Sequence, residues 1–288
     1  MPLTAAVATD TASVAAPADG ITAALIGQHT QVLASDAFQG RRPFTAGEEK
    51  ATGYLVAEFK KLGLQPGPGG SYLQSMPLVE ITGTPAPTAT AKGFRQAHQK
   101  PARSIVFLAF TAEESGLLGS GNYAAHPLFQ LALTVANLNS EGLLDLGPMR
   151  DFTIIGYGQS ELDEYVRAAA REQNRYVIAF QHPESGIFYR SDHFSFAQVG
   201  VPALYADGEY DSRLRGKAFV EEKYNKYYAK HNHQPSNEYD PKADLRGTEQ
   251  DMRLLFRVGQ KLAGETAFPK WKKGSEFKAI REKSRPNQ

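Results

Sequence analysis

Glu113 and Glu114 stand side by side in "FLAFTAEESGLLGSGNY", where an apolar run gives way to a glycine-rich turn. Neighbours on extended backbone point in different directions, so one carboxylate can bind a cation while the other addresses the water that the cation holds. Metal-assisted hydrolysis uses that division of labour. Two acids at a helix start also favour its N-terminal dipole, so the pair alone does not decide. Three further stretches carry similar groups: "TVANLNSEGL" puts Glu141 just past an apolar run, "RSDHFSFAQVGVPAL" puts Asp192 and His193 at a helix start, and "KHNHQPSNEYDP" holds His231 and His233 in a polar loop. Carboxylates and a histidine arriving from separate strand ends and loops are what an oxygen- and nitrogen-ligated zinc site requires. The chain has no cysteine, which excludes thiolate ligation and a disulfide framework.

Ligands of open α/β sheets bind beyond the carboxyl ends of the strands, so the elements must bring these residues to one rim. "SIVFLAF", with no alternation, reads as a strand buried on both faces and ending just before Glu113. "TVANL", "FTIIGYG" and "VPALYA" predict three more strands, and helical spacing predicts helices over 21–35, 117–125, 161–173 and 246–263. Thr45 and Glu48 have the spacing of a capping box opening another helix, which Gly63 ends. "SYLQSMPLVEITG" alternates as a strand does, and "GTPAPTAT" has linker composition. Strands alternating with helices predict an α/β fold of three layers, α/β/α, with a mostly parallel mixed sheet and helices on both faces.

Apolar residues at 41% and charged residues at 22% are ordinary globular values, and 288 residues can bury a large core. A formal net charge of +1 with no Lys/Arg stripe argues against nucleic acid as the partner. No apolar run approaches the ~18 residues of a membrane span. Residues 1–20 are rich in Ala and Thr, lack the basic start and apolar core of a signal peptide, and read either as what remains near the mature end of an exported protein or as a disordered arm.

Taken together, these stretches resemble the co-catalytic zinc exopeptidases, family twenty-eight of the metallopeptidases. "LASDAFQGRRPFTAGEEKATGYLVAEFKKLGLQP" is similar to the family's N-terminal region, and "FLAFTAEESGLLGSGNY" to its Glu-Glu motif. "VANLNSEG", "RSDHFSFAQVGVPAL" and "HNHQPSNEYDP" follow in the family's order. The resemblance implies a zinc aminopeptidase acting on peptides, periplasmic or secreted, with Glu113 as general base. It implies Glu114, Glu141 and His233 as metal ligands, His231 being the lesser claimant. Asp192 and His193 match a motif near the substrate pocket, where His193 reads more readily as a capping or packing residue than as a catalytic one.

The family pattern also needs a His-x-Asp and a metal-bridging Asp before the Glu-Glu strand. Residues 83–104 contain one histidine, His98, and no Asp or Glu. A strand, ligand loop and crossover helix need roughly 30 residues, more than this interval offers. The expected organisation is therefore an N-terminal part of the domain at 21–82, a linker marking an internal deletion at 83–90, the rest of the domain at 91–268, and a C-terminal tail at 269–288. Hydrolysis would then be impaired and zinc held at one weak site at most. The alternatives are a non-catalytic fragment that binds peptides or a partner and, less favoured, glutaminyl-cyclase-like chemistry. Loss of a neighbour beside "SIVFLAF" would leave a sheet edge inviting self-association.

Overall fold

A computed structural model of the chain describes residues 16–75, 91–94, 101–141 and 145–285. Its centre is a sheet of β1 (Asn137–Asn139), β2 (Asp151–Ile155), β3 (Tyr176–Ala179) and β4 (Ala203–Asp207). The strand order is β1-β4-β2-β3; β1 pairs with β4 and β2 with β3 in parallel, and β2 meets β4 antiparallel. The helices include α1 (Ala16–Asp19), α2 (Ala23–Leu33), α3 (Ala46–Lys61), α4 (Leu118–Ala125), α5 (Leu162–Glu172), α6 (His193–Gln198), α7 (Gly216–Lys230), α8 (Arg246–Gly264) and α9 (Lys278–Ser284), and residues 91–94 are helical as well. The architecture is the expected mixed α/β fold.

Alternation along the strands sorts the core into two layers. Phe152, Ile154, Leu204 and Ala206 pack on one face against Leu162 and Val166 of α5 and Leu254, Leu255 and Phe256 of α8. Ile155, Ala203 and Tyr205 face the other way, onto Tyr123 of α4 and Phe196 of α6. At the start of α3 the Thr45 hydroxyl accepts the Gly47 N–H at 3.2 Å, and Glu48 Oε2 accepts the Phe44 N–H at 2.7 Å. Gly63 leaves that helix with φ 66°, a left-handed turn that glycine makes without strain.

Four expectations need correction or restriction. "SIVFLAF" enters no ladder among the described residues. A ladder needs a neighbour about 4.8 Å away, whereas a cavity of about 2400 Å³ is lined by 104–110 together with β1. The segment is strand-like only in its side chains: Phe107 turns to Phe94, and Leu108 and Phe110 turn to the α4–α6 layer. It is not fully buried, with Val106 42% exposed. The strand expected from residue 71 has no ladder over 71–75, and its remainder, with the 83–90 linker and His98, lies outside the described residues.

The other two corrections concern the ends. Residues 269–285 are no loose tail: Trp271 and Phe277 are buried and α9 carries the buried Arg281. At the other end, α1 within the expected arm packs against α8, with Ala18 in the core. Besides α1 and α9, two elements went unpredicted. β3 is only four residues, and α7 buries Val220 alone, so it shows no periodic apolar face.

Candidate active site

Glu113 and Glu114 begin a single turn of 3-10 helix, Glu113–Ser115, flanked by Ala112 at φ 58° and Leu117 at φ 61°. Left-handed backbone at such residues is strained and persists only where the surroundings enforce it. The enforcement is visible. Glu48 at the start of α3 accepts a 2.8 Å hydrogen bond from the Thr111 hydroxyl, and Gly119 donates its N–H to Thr111 O at 3.1 Å. The Ser120 and Ser195 hydroxyls, 2.8 Å apart, join α4 to α6.

From this turn Glu114 reaches His233, Oε2 to Nε2 at 3.0 Å. His233 sits in the loop between α7 and α8 at φ 56°. That loop is fastened to the end of α7: Tyr227 O accepts the His231 and Asn232 N–H groups at 2.8 and 2.9 Å, and the Asn237 amide donates to the Tyr227 hydroxyl at 3.1 Å. His231 Nδ1 is occupied with Ser236 at 3.0 Å.

Glu141 lies two residues past β1. Its Oε1 accepts the Asn139 amide at 2.7 Å, the Ser191 hydroxyl in a short hydrogen bond, and the Asp192 N–H at 3.4 Å. Asn139 and Ser191, neither singled out by the sequence, thus orient Glu141 and tie the end of β1 to the start of α6. Parallel pairing of Asn139 with Tyr205 sets the ends of β1 and β4 side by side, and the Glu141 charge acts on Asp207.

Glu113, Glu114, Glu141, Asp192 and His233 all line the large cavity, as do Arg190, Asp207, Glu209, Tyr227 and Tyr228. Burial, reinforced by the charges of Glu141, Glu114 and Asp192, pushes the Glu113 carboxyl up to about 8 against a pull from Arg190. Burial lifts Asp192 to about 6, with the Ser120 hydroxyl opposing and Glu141 adding. Glu209 is raised to about 8 by burial and by Asp151 and Asp251, and Asp207 lies well above the usual carboxylate range, chiefly through burial and Glu209.

His193 stands apart from the cavity. It is wholly buried, 4.8 Å from the Phe188 ring and 5.5 Å from Tyr205, and desolvation lowers its imidazole to about 3. It is a neutral packing residue. Three further histidines are likewise local: His29 bonds Tyr54 at 2.6 Å, His126 ends α4, and His182 stacks on Tyr224.

The sequence profile of peptidase family M28 matches residues 82–254, and the chain belongs to that family. In fold it is similar to the LapA aminopeptidase of Legionella pneumophila, with a TM-score of 0.60 at 14% identity over 88% of this chain and 75% of that one. A second LapA crystal structure gives a TM-score of 0.59 at 15% identity over 87% and 75%. No curated protein sequence matches the chain.

M28 peptidases are generally zinc-dependent, which sets a test for the residues present. Glu114 and His233 form one adjacent pair, but Glu141 Oε1 is already taken by three donors. Among the described residues no group of three or more His, Asp or Glu side chains is arranged to hold a metal ion. The described residues do not fit a two-zinc centre.

Proposed function

We propose that this chain is an aminopeptidase-type M28 domain that binds peptides by their amino end and hydrolyses them weakly. The observation that carries this reading is the convergence of Glu113, Glu114, Glu141, Asp192 and His233 on one cleft without a metal-holding set among the described residues. With its carboxyl raised to about 8, Glu113 holds a proton at neutral pH and can donate a hydrogen bond to a peptide carbonyl. As a base it acts only once that proton is lost, at higher pH or beside a cation. The internal deletion inferred from residues 83–104 accounts for the incomplete ligand set, and the Glu114–His233 pair would hold one zinc ion weakly at most. Among the described residues no helix is long and apolar enough to cross a membrane. Export to the periplasm or outside the cell belongs to the same reading.

The test is hydrolysis of a leucyl reporter substrate with added zinc, on the chain and on Glu113→Gln. Turnover far slower than that of the LapA aminopeptidase is expected, with the variant lowering the remainder by roughly 100-fold or more, the scale of general acid-base catalysis. Fast turnover would overturn the impairment. Equal trace rates in both proteins would favour the second reading, a non-catalytic peptide binder, which the incomplete ligand set also supports. Metal content after dialysis into trace zinc is expected to stay at or below one ion per chain and to vanish in His233→Ala.

A further inference from the structure

None of the backbone N–H or C=O groups of 104–110 makes a hydrogen bond among the described residues, although Ile105, Phe107, Leu108 and Phe110 are half-buried. Backbone groups withdrawn from water are almost always paired, so this run points to a missing neighbour. Across the cavity stands a second open edge. Among the described residues β1 pairs with β4 alone, its Asn137 N–H going to Pro202 O at 2.9 Å. Parallel strands bond through alternate residues, so the N–H and C=O of Leu138 face away from β4, towards the cavity. Apolar layers cover the space between the two edges on both sides: Phe94, Leu255 and Leu262 on one, Tyr123, Leu128 and Phe196 on the other. Both edges run to one rim. Glu113 follows 104–110, Glu141 follows β1, and the Glu141 charge acts on Glu113.

We propose that the slot between 104–110 and β1 receives an extended segment of another polypeptide, with about five to seven apolar residues followed by a basic residue beside Glu113 and Glu141. A strand laid there parallel to both edges pairs with both and has both faces covered, which calls for an unbroken, β-branched apolar run. Its carboxyl end then comes out at the acidic rim. Among the described residues the cations facing that rim are Arg190, which acts on Glu113, and His233, already committed to Glu114 at 3.0 Å. Charge complementarity therefore favours a lysine or arginine on the incoming segment. A second copy of the chain is the weaker occupant: "SIVFLAF", "TVANL" and "VPALYA" are followed by Glu113, Glu141 and Asp207, so each would bring an acid to an acidic rim. The segment is added to the sheet rather than cut, so its binding stands apart from the peptidase reading.

The experiment is fluorescence anisotropy on the full chain with a synthetic peptide of six alternating valines and isoleucines followed by two lysines. Acetylation of its amino end removes the free terminus that an aminopeptidase would attack, and a dye labels its carboxyl end. One comparison peptide carries glutamates in place of the lysines, and another carries proline in place of a middle valine. The lysine peptide is expected to bind tighter than the glutamate peptide by about ten-fold or more, the worth of a charge-assisted hydrogen bond. The proline peptide should not bind, because it cannot complete a ladder on both sides. Amide hydrogen exchange should slow by about ten-fold or more at 105–110 and at Leu138 when the lysine peptide is bound. No binding of the lysine peptide, equal binding of the proline peptide, or binding without new protection at those amides overturns the proposal. Equal affinity for lysine and glutamate peptides overturns the choice of occupant. Protection already present in the free chain overturns it too, and assigns the slot to a second copy if it grows with protein concentration or to the chain itself if it does not.

Discussion

The Arg175 guanidinium, wholly shut off from solvent, meets Asp251 at 2.7 Å, and its Nε donates to Asp151 O at 2.7 Å. Breaking a buried ion pair from one side strands the other charge. Arg175→Met is therefore expected to cost about 3–5 kcal/mol, read as a lower urea midpoint. Beyond this pair, Glu209 titrates abnormally: its carboxyl moves from 4.5 to about 8, first through burial and then through Asp151 and Asp251. The folded chain thus binds a proton more tightly than the unfolded one. Its contribution is fully present below pH 4.5 and is lost as pH rises through about 8. Urea midpoints should fall over that window, and Glu209→Gln should flatten the fall; an unchanged slope would refute the assignment. Glu113, Glu114, Glu141 and Asp192 could be picked out from the sequence because each follows an apolar run or opens a helix, whereas Asp207 of the same cleft was not singled out. Asn139, Ser191 and Glu209 could not, because a polar residue at a strand end or in a loop has no period to betray it, and the Ser191 and Glu209 partners lie tens of residues away.

At the scale of elements, α4 is seated by a close approach that only glycine permits. A Cβ on Gly119 would lie 2.3 Å from the Thr111 carbonyl oxygen, which is backbone and cannot swing aside. Gly119→Ala is expected to destabilise the chain by about 1–3 kcal/mol and to displace the turn carrying Glu113. Urea unfolding measures the first effect, and loss of residual leucyl hydrolysis the second. The glycine-rich text after Glu114 is thus a packing requirement as well as a turn. Helices with a one-sided apolar face, such as α5 and α8, were legible because burial imposes the period; α7, which buries Val220 alone, was not. The reading of "SIVFLAF" failed differently. Its side chains do serve two core layers, as a buried strand's would, but a ladder also needs a neighbour, and periodicity within one segment says nothing about what lies beside it.

Across the whole molecule, the sheet stops at β1, while 104–110 faces the same cavity without a ladder among the described residues. Unladdered backbone next to exposed apolar side chains, Val106 at 42% and Leu133 at 64%, invites pairing with another chain. Light scattering should find concentration-dependent oligomers, and a dye for apolar surface should bind; a sharp monomer at high concentration with no dye signal would overturn this. The C-terminal segment closes the aromatic layer. Trp271 Nε1 donates to Gly200 O at 2.9 Å, and Arg281 donates to Leu131 O and Thr134 O at 3.0 and 2.7 Å. Trp271 and Phe277 also complete the aromatic layer around Phe188 and Phe196. That arrangement has a consequence for biosynthesis. Trp271 and Phe277 follow every other member of the aromatic layer in chain order, so the layer stays open until they have left the ribosome, and until then the nascent chain carries bare rings. Synthesis stalled near residue 268 would yield a chain for chaperones and proteases to sort, in which the α5–α8 layer could form while the layer holding α6 waits for its lid.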